Sequence, residues 1–164
     1  MPTEQSDEMQ KLREMVKDID IGMLTTMDDD GTLRSRPMST NGDIEADGDV
    51  WFFTYGSSHK VHEIEREPQV NVSFADKHRY ISISGRAALV RDNAKIEELW
   101  RPQLKAWFPK GTDEPDIALL RVSVAKAEYW DSPGSFVAHA VGLVKAVATG
   151  TTYEGGENKK LDLS

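Results

Sequence analysis

The sequence contains no cysteine in its 164 residues. Disulfide bonds, thiolate metal sites and cysteine nucleophiles are therefore excluded. The chain also lacks an uninterrupted apolar run of the length that a membrane-spanning helix requires, and no signal peptide is recognisable before the first predicted helix. We therefore expect a cytoplasmic protein that does not insert into membranes.

Basic residues are scarce relative to acidic ones. The chain has 20 lysines and arginines against 28 aspartates and glutamates, which gives a formal net charge of -8. A general nucleic-acid-binding protein needs a basic face for the phosphate backbone, and this composition does not supply one. A single phosphate site built from a few local cations is still compatible with the composition.

The composition that is present is typical of one globular domain. Hydrophobic residues make up 38% of the chain and charged residues 29%, and no linker divides the 164 residues. Residues 5–20 predict an amphipathic helix, residues 135–148 approximately predict an apolar helix, and an extended tail follows. Six strand patterns with short turns lie between the two helices. We predict a single domain, residues 1–164, that is mainly β with flanking helices and forms a small antiparallel barrel.

The segment WFFTYGSSHK, residues 51–60, carries the strongest local signal for chemistry. It begins as an aromatic β-strand, breaks at a glycine and two serines, and continues into a helical pattern. A strand that ends at a helix N-terminus can hold a phosphate, because free backbone N–H groups point outward there. Ser58 could add a hydroxyl and Lys60 a charge. The alternative is an ordinary strand–turn–helix junction in which Ser57 or Ser58 caps the helix.

Three other features each allow two interpretations. Residues 28–31, Asp-Asp-Asp-Gly, predict a hairpin turn, although three acids could also hold a cation. Arg34 and Arg36 share one face of a strand, where they could be surface arginines or could meet an anion. Two tryptophans and a phenylalanine lie within residues 100–108, and they could fill a core or form an exposed patch for a second copy or a flat aromatic ligand.

Several motifs occur in the order found in one known family. They are RSRPM at 34–38, WFFTYGSSHK at 51–60, SISGRA at 82–87, AWFPKGTDEPDIALLRV at 106–122, EYWDSPG at 128–134 and ENKKLDL at 157–163. In this order they resemble the FMN-binding split-barrel family, the pyridoxamine 5′-phosphate oxidase-like flavoproteins, and within it the general stress protein 26 group. The resemblance implies a six-stranded antiparallel split β-barrel, which assembles as a homodimer with two FMN sites at its interface.

The resemblance also implies which residues bind the cofactor. Arg34 or Arg36, together with Ser58, His59 and Lys60, would hold the FMN phosphate. The other implied contacts are the strand residue Ser35, the flavin-edge residues Pro37 and Met38, the flavin or ribityl contacts Phe53 and Thr54, and the partner-side residues Trp107 and Trp130. No side chain in the sequence is identifiable as catalytic, and we predict no metal site.

The sequence departs from the true oxidases of that family at three places. Tyr80 stands where those oxidases have a flavin-contacting glutamine, His59 stands where the family often has arginine, and the chain after Trp130 lacks their substrate-gripping arginine and histidine. We therefore expect an FMN-binding flavoprotein, a stress-linked oxidoreductase without pyridoxamine phosphate oxidase activity. The alternatives are a non-enzymatic flavin carrier or sensor, a split barrel that binds the deazaflavin F420 or haem, and a structural dimer with a vestigial pocket.

Overall fold

The computed structural model describes residues 4–40, 44–45, 47–131, 136–151 and 156–164. Within these residues the chain forms seven β-strands. They are β1 (Ile21–Met27), β2 (Leu33–Ser39), β3 (Asp49–Tyr55), β4 (Gln69–Ala75), β5 (Arg79–Val90), β6 (Ile117–Asp131) and β7 (Glu157–Asp162). The strands agree with the alternating patterns of the sequence, in which side chains point to opposite faces in turn.

All strand pairs are antiparallel, and the strand order is β2-β1-β4-β5-β6-β3, with β7 added to β6. The sheet therefore begins at β2 and finishes at β3. A single bridge between Thr40 and Phe52 joins these two end strands. The sheet is curled into a half-barrel that closes at this bridge and opens along the rest of the seam between β2 and β3. The predicted split-barrel architecture of six antiparallel strands is confirmed.

In the described part of the chain, four α-helices and two short 3₁₀ helices flank the sheet. They are α1 (Glu4–Val16), α2 (His59–Arg66), α3 (Asn93–Leu99), the 3₁₀ helices Pro102–Ala106 and Gly111–Asp113, and α4 (Phe136–Thr149). Asp92 caps α3, because its carboxylate accepts the backbone N–H groups of Ala94 and Lys95. None of the helices within the described residues is long and apolar enough to cross a membrane.

The apolar side chains form two clusters, one on each side of β3. The larger cluster fills the barrel and includes Leu24, Phe52 and Ile83, all fully buried. The smaller one packs α3 and the first 3₁₀ helix against the outside of the barrel, and it includes Phe53 and Phe108. Strand β3 is therefore buried on both faces, which explains why its sequence is aromatic rather than alternating.

Two elements differ in extent from the sequence prediction. Helix α1 ends at Val16 rather than at residue 20, because Asp18 adopts a left-handed backbone conformation with a φ of 67°. The extended tail is in part the strand β7, which pairs with β6 and buries Leu161. The C-terminal helix runs over Phe136–Thr149, and its predicted first residue, 135, lies outside the described residues.

Gly85 marks an irregularity in β5. The pairing of β5 with β6 shifts its register between Ser84 and Gly85. A Cβ atom at Gly85 would lie 2.2 Å from the carbonyl oxygen of Ser123. This close approach of two backbones requires glycine, since any side chain would displace the neighbouring strand.

The turn between β4 and β5 is held by Asp76 and Arg79. The Asp76 carboxylate accepts hydrogen bonds from Nε of Arg79 at 2.8 Å and from the backbone N–H of His78 at 2.9 Å. Arg79 also donates to the carbonyl of Met15, so the turn is tied to the end of α1. Hydrogen bonding by Arg79, followed by the backbone donors, lowers the pKa of Asp76 from 3.8 to about 2.

We expect Asp76→Asn to lower the free energy of unfolding by about 1 kcal/mol at pH 7, a figure reduced for the partial exposure of the pair. The folded-state pKa lies below the unfolded one, so this stabilisation is complete above pH 3.8 and is lost as the pH falls towards 2. Urea denaturation at neutral and acidic pH measures the difference, with Glu97→Gln, at an exposed acid, as the control. A difference between wild type and Asp76→Asn that is as large at pH 2 as at pH 7 would contradict this assignment.

Candidate functional site

The open part of the β2–β3 seam forms the candidate site. Going away from the Thr40–Phe52 bridge, β2 leads back to Pro37 while β3 leads forward to Tyr55, so these stretches remain opposite each other. The other edge of β2 pairs with β1, and the other edge of β3 pairs with β6. Within the described residues, the two edges that face the seam therefore offer backbone hydrogen-bonding groups that no ladder uses.

A cavity of about 220 Å³ lies in this seam. Its lining is drawn from β2, β3, the start of α2 and the segment around the first 3₁₀ helix. The lining residues are Pro37, Met38, Ser39, Phe53, Thr54, Tyr55, Lys60, Leu104, Trp107 and Phe108. The lining is mostly apolar and aromatic, with Lys60 as the one charged residue among those that the structure describes. Such a cavity suits a flat ring system that carries an anionic group.

At the junction between β3 and α2, the hydroxyl group of Ser58 contacts Lys60. Ser58 occupies the N-cap position of α2, but its side chain makes no capping hydrogen bond within the described residues. Its Oγ accepts a hydrogen bond from Nζ of Lys60 at 3.1 Å and lies 3.3 Å from Oγ1 of Thr54. Ser57 is instead held by the carboxylate of Asp116. The ordinary capping interpretation of this junction therefore does not describe either serine.

Lys60 lies in a position that disfavours its own charge. Burial is the largest cause that lowers its pKa, and the positive charge of Arg36 is the next, while Glu63 partly offsets them. A half-buried ammonium group beside a second cation gains stability when an anion binds to it. The mouth of the cavity between Lys60 and Ser58 is therefore a suitable place for a phosphate group.

Arg36 is engaged by a buried carboxylate. Its guanidinium donates to Oγ1 of Thr26 at 2.7 Å and to Oε2 of Glu63 at 3.3 Å. Thr26 donates to the same Glu63 oxygen. The Glu63 side chain is fully buried and that of Arg36 is 18% exposed, so the pair is an internal one. Arg36 thus adds positive potential near Lys60 but is not a free ligand for an anion.

His59 faces the β1–β2 turn and is not part of the cavity lining. Its Nε2 lies 3.5 Å from Oδ1 of Asp28 and 3.4 Å from Oε1 of Glu63. Arg34, in turn, is 58% exposed and lies 3.7 Å from Oδ2 of Asp28. The hydrogen bond from the backbone N–H of Asp29 is the largest cause that lowers the pKa of Asp28, and His59 contributes further.

The aromatic segment after α3 divides between core and cavity wall. Trp100 and Phe108 pack edge-on against Phe53 in the smaller cluster, whereas Trp107 is 56% exposed at the cavity. The Tyr55 hydroxyl donates to the carbonyl oxygen of Trp107 at 2.6 Å and fixes the segment against the end of β3. Trp100 and Phe108 therefore follow the core interpretation, whereas Trp107 is exposed, and its contact with a ligand or a second copy stays a prediction.

The structure brings together only part of the residue set implied by the resemblance. Six of these residues line the cavity: Pro37, Met38, Phe53, Thr54, Lys60 and Trp107. Arg36 and Ser58 lie just behind Lys60, while Arg34 and His59 lie at the β1–β2 turn. Ser35 bonds to Thr25 on the outer face of the sheet.

Trp130 lies on a different surface from the cavity. It is paired with Tyr80 between β5 and β6, and both side chains are exposed beside Ile21 and Met23 on the outer face of the sheet. Within one chain, Trp130 and Trp107 therefore do not share a site. Trp130 could reach the cavity only from a second copy, which is where the resemblance implies that it belongs.

Glu63 and the lining residues Ser39, Tyr55 and Leu104 are site residues that the sequence did not indicate. Glu63 lies four residues after His59 on α2, so both side chains are on one face of that helix. A buried glutamate in a polar helix has no distinctive sequence signal. Its pairing with Arg36 depends on a contact across 27 residues of sequence, which a single sequence does not reveal.

Comparison with known proteins identifies the family. Residues 7–154 match the family described as "Pyridoxamine 5'-phosphate oxidase like". Protein bli-3 of Neurospora crassa is 29% identical to the chain over 139 residues, which are 78% of this chain and 66% of that protein. The chain thus spans just under two thirds of the length of this curated relative.

Two solved structures are similar over most of the fold. A protein assigned as general stress protein 26 from Jannaschia sp. CCS1 has a TM-score of 0.75 at 24% identity, with 96% of this chain and 99% of that chain covered. The general stress FMN/FAD binding protein of Xanthomonas citri has a TM-score of 0.66 at 31% identity, with 79% and 93% covered. The first likeness supports the fold alone. The chain belongs to the pyridoxamine 5′-phosphate oxidase-like family, so the resemblance stated from its motifs is confirmed.

Proposed function

We propose that this chain is an FMN-binding flavoprotein whose cofactor lies in the β2–β3 seam. The observation that carries the proposal is the position of Lys60, a half-buried cation in the lining of a mostly apolar and aromatic cavity. FMN combines a flat ring system with a terminal phosphate, which matches these two parts of the cavity. The Xanthomonas citri relative, described as FMN/FAD binding, adds support at 31% identity.

The residues present fit FMN in a definite orientation. Lys60 and Ser58 would hold the phosphate, aided by the N-terminus of α2 and the nearby charge of Arg36. The free backbone edges of β2 and β3 would meet the polar edge of the ring, and Trp107 would cover part of its face. FMN is preferred to FAD in this arrangement, because its phosphate is terminal and can end at Lys60.

The chain would do its work by binding and excluding water rather than by acid–base catalysis. The titratable side chains among the described lining residues are Tyr55 and Lys60, and Tyr55 is already bonded to a backbone carbonyl. A bound flavin supplies hydride and electron transfer, and the protein supplies position and electrostatics. We propose a stress-linked oxidoreductase without pyridoxamine phosphate oxidase activity. Haem is less well supported, because His59 does not line the cavity.

The active unit in this proposal is a homodimer. Trp107 at the cavity is 56% exposed. A second copy would cover this side chain and bring its own Trp130 towards the flavin. The exposed residues Ile21, Met23 and Tyr80 form an apolar surface around Trp130, of the kind that a second copy covers. Light scattering of the purified protein measures the mass of the assembly directly.

The absorption spectrum of freshly purified protein tests this proposal. We expect the visible bands of a flavin, release of FMN on denaturation, and binding of FMN by the stripped protein in the micromolar range. An NAD(P)H oxidation assay with several acceptors then separates an oxidoreductase from a flavin carrier, since only the former turns over. A stripped protein that binds no FMN at micromolar concentrations would contradict the proposal.

A further inference from the structure

Outside the cavity, three potential metal ligands converge on one point at the start of α2. They are Oδ1 of Asp28 in the β1–β2 turn, Nε2 of His59 and Oε1 of Glu63, and all three atoms lie within 4.8 Å of one another. His59 and Glu63 are four residues apart on the helix, and Asp28 is added by the neighbouring turn. The group therefore combines two elements that are far apart in sequence.

The carboxylate of Glu63 is only half used by the protein. Its Oε2 accepts hydrogen bonds from Thr26 and Arg36, whereas its Oε1 accepts none from any residue that the structure describes. The side chain is fully buried, so Oε1 cannot be satisfied by bulk water. A buried oxygen without a hydrogen bond is costly, and here it points at His59 and Asp28.

The two distances from Nε2 of His59 to the carboxylate oxygens suit ligands of one ion better than hydrogen bonds. Nε2 of His59 is 3.5 Å from Asp28 and 3.4 Å from Glu63, beyond the usual length of about 2.7–3.2 Å for an N–H···O bond. Two ligands at about 2.1 Å from a tetrahedral ion lie about 3.4 Å apart. One imidazole and two carboxylates form a donor set that suits divalent transition ions.

We propose that Asp28, His59 and Glu63 form a binding site for a divalent transition-metal ion such as Zn²⁺ or Mn²⁺. Each carboxylate would bind the ion through one oxygen only. Oε2 of Glu63 is paired with Arg36, and Oδ2 of Asp28 lies near Arg34. Oδ1 of Asp28 also accepts the Asp29 backbone N–H at 2.7 Å, which orients it towards His59. His59 is half exposed, so the ion would keep an open position towards solvent.

This site is independent of the flavin proposal. None of its three ligands lines the cavity, and Lys60, which does, is not among the ligands. We predict no metal site from the sequence, in which Asp28 precedes His59 by 31 positions. Metal binding can therefore be measured on protein without flavin.

The test is calorimetric titration of chelator-treated, flavin-free protein with Zn²⁺, and in parallel with Mn²⁺ followed by its electron paramagnetic resonance. We expect one ion per chain in the micromolar range, and much weaker binding of Mg²⁺, which is a poor partner for imidazole. Asp28→Asn and His59→Asn should each weaken the binding at least about tenfold. The side chain of His59 is 53% exposed and that of Asp28 is 26% exposed, so these variants should fold.

His62→Asn is the matched control, because His62 lies on the same helix, is 65% exposed and faces Asp29 instead. It should bind the ion as wild type does. Absence of stoichiometric binding, or binding that Asp28→Asn and His59→Asn leave unchanged, would overturn the proposal.

Discussion

Lys60→Ala is expected to weaken FMN binding by roughly 10- to 100-fold, the loss of one charge-assisted hydrogen bond to a phosphate. Lys60 is the charged residue that lines the cavity within the described part of the chain, and Arg36 behind it is engaged by Glu63. Fluorescence titration of the stripped protein with FMN measures the effect.

Riboflavin provides the matched control, because it has the same ring and ribityl chain but no phosphate. Lys60→Ala should leave riboflavin affinity nearly unchanged, and Lys60→Arg should retain much of the FMN affinity, since it keeps the charge. Equal losses for the two ligands would show that the substitution disturbs the cavity as a whole. The assignment of the phosphate to Lys60 would then be wrong.

Arg36→Ala is expected to lower the free energy of unfolding by about 3 kcal/mol, because it leaves the buried Glu63 carboxylate without its cation. Chemical denaturation without flavin measures this loss. Arg34→Ala is the matched control on the same strand, since Arg34 is 58% exposed and its ion pair is a surface one. That variant should lose less than about 1 kcal/mol.

A double substitution separates the pair from the fold. Arg36→Met together with Glu63→Leu removes both charges, so we expect much of the stability lost in Arg36→Ala to return. The interpretation of Arg36 as part of a buried pair fails if Arg36→Ala costs no more than Arg34→Ala. In that case Arg36 would be free to bind the cofactor, as the resemblance allows.

Much of the barrel could be predicted from the sequence because its strands follow simple rules. Strand β4 alternates apolar and polar residues, and the register irregularity at Gly85 follows from a glycine within a strand. The end of α1 could not be predicted, because Asp18 takes a left-handed conformation that most residues avoid. The pairing of β7 with β6 likewise depends on contacts between distant parts of the chain.

In the candidate site, too, the contacts within one local motif could be predicted, whereas those between distant parts of the chain could not. Lys60 and Ser58 lie within one continuous motif, so their proximity could be anticipated from local structure. The different roles of Arg34 and Arg36 could not be anticipated, because both share a strand face. Only the folded chain pairs Glu63 with Arg36 and leaves Arg34 beside Asp28. The same buried carboxylate decides which cation remains available at the cavity.

A crystal structure of the protein with FMN bound would show directly whether the cofactor lies in the β2–β3 seam. We predict the flavin ring between Pro37–Ser39 of β2 and Phe53–Tyr55 of β3, with its phosphate within hydrogen-bond distance of Lys60. A flavin bound on another surface, or one in the seam whose phosphate points away from Lys60, would contradict it.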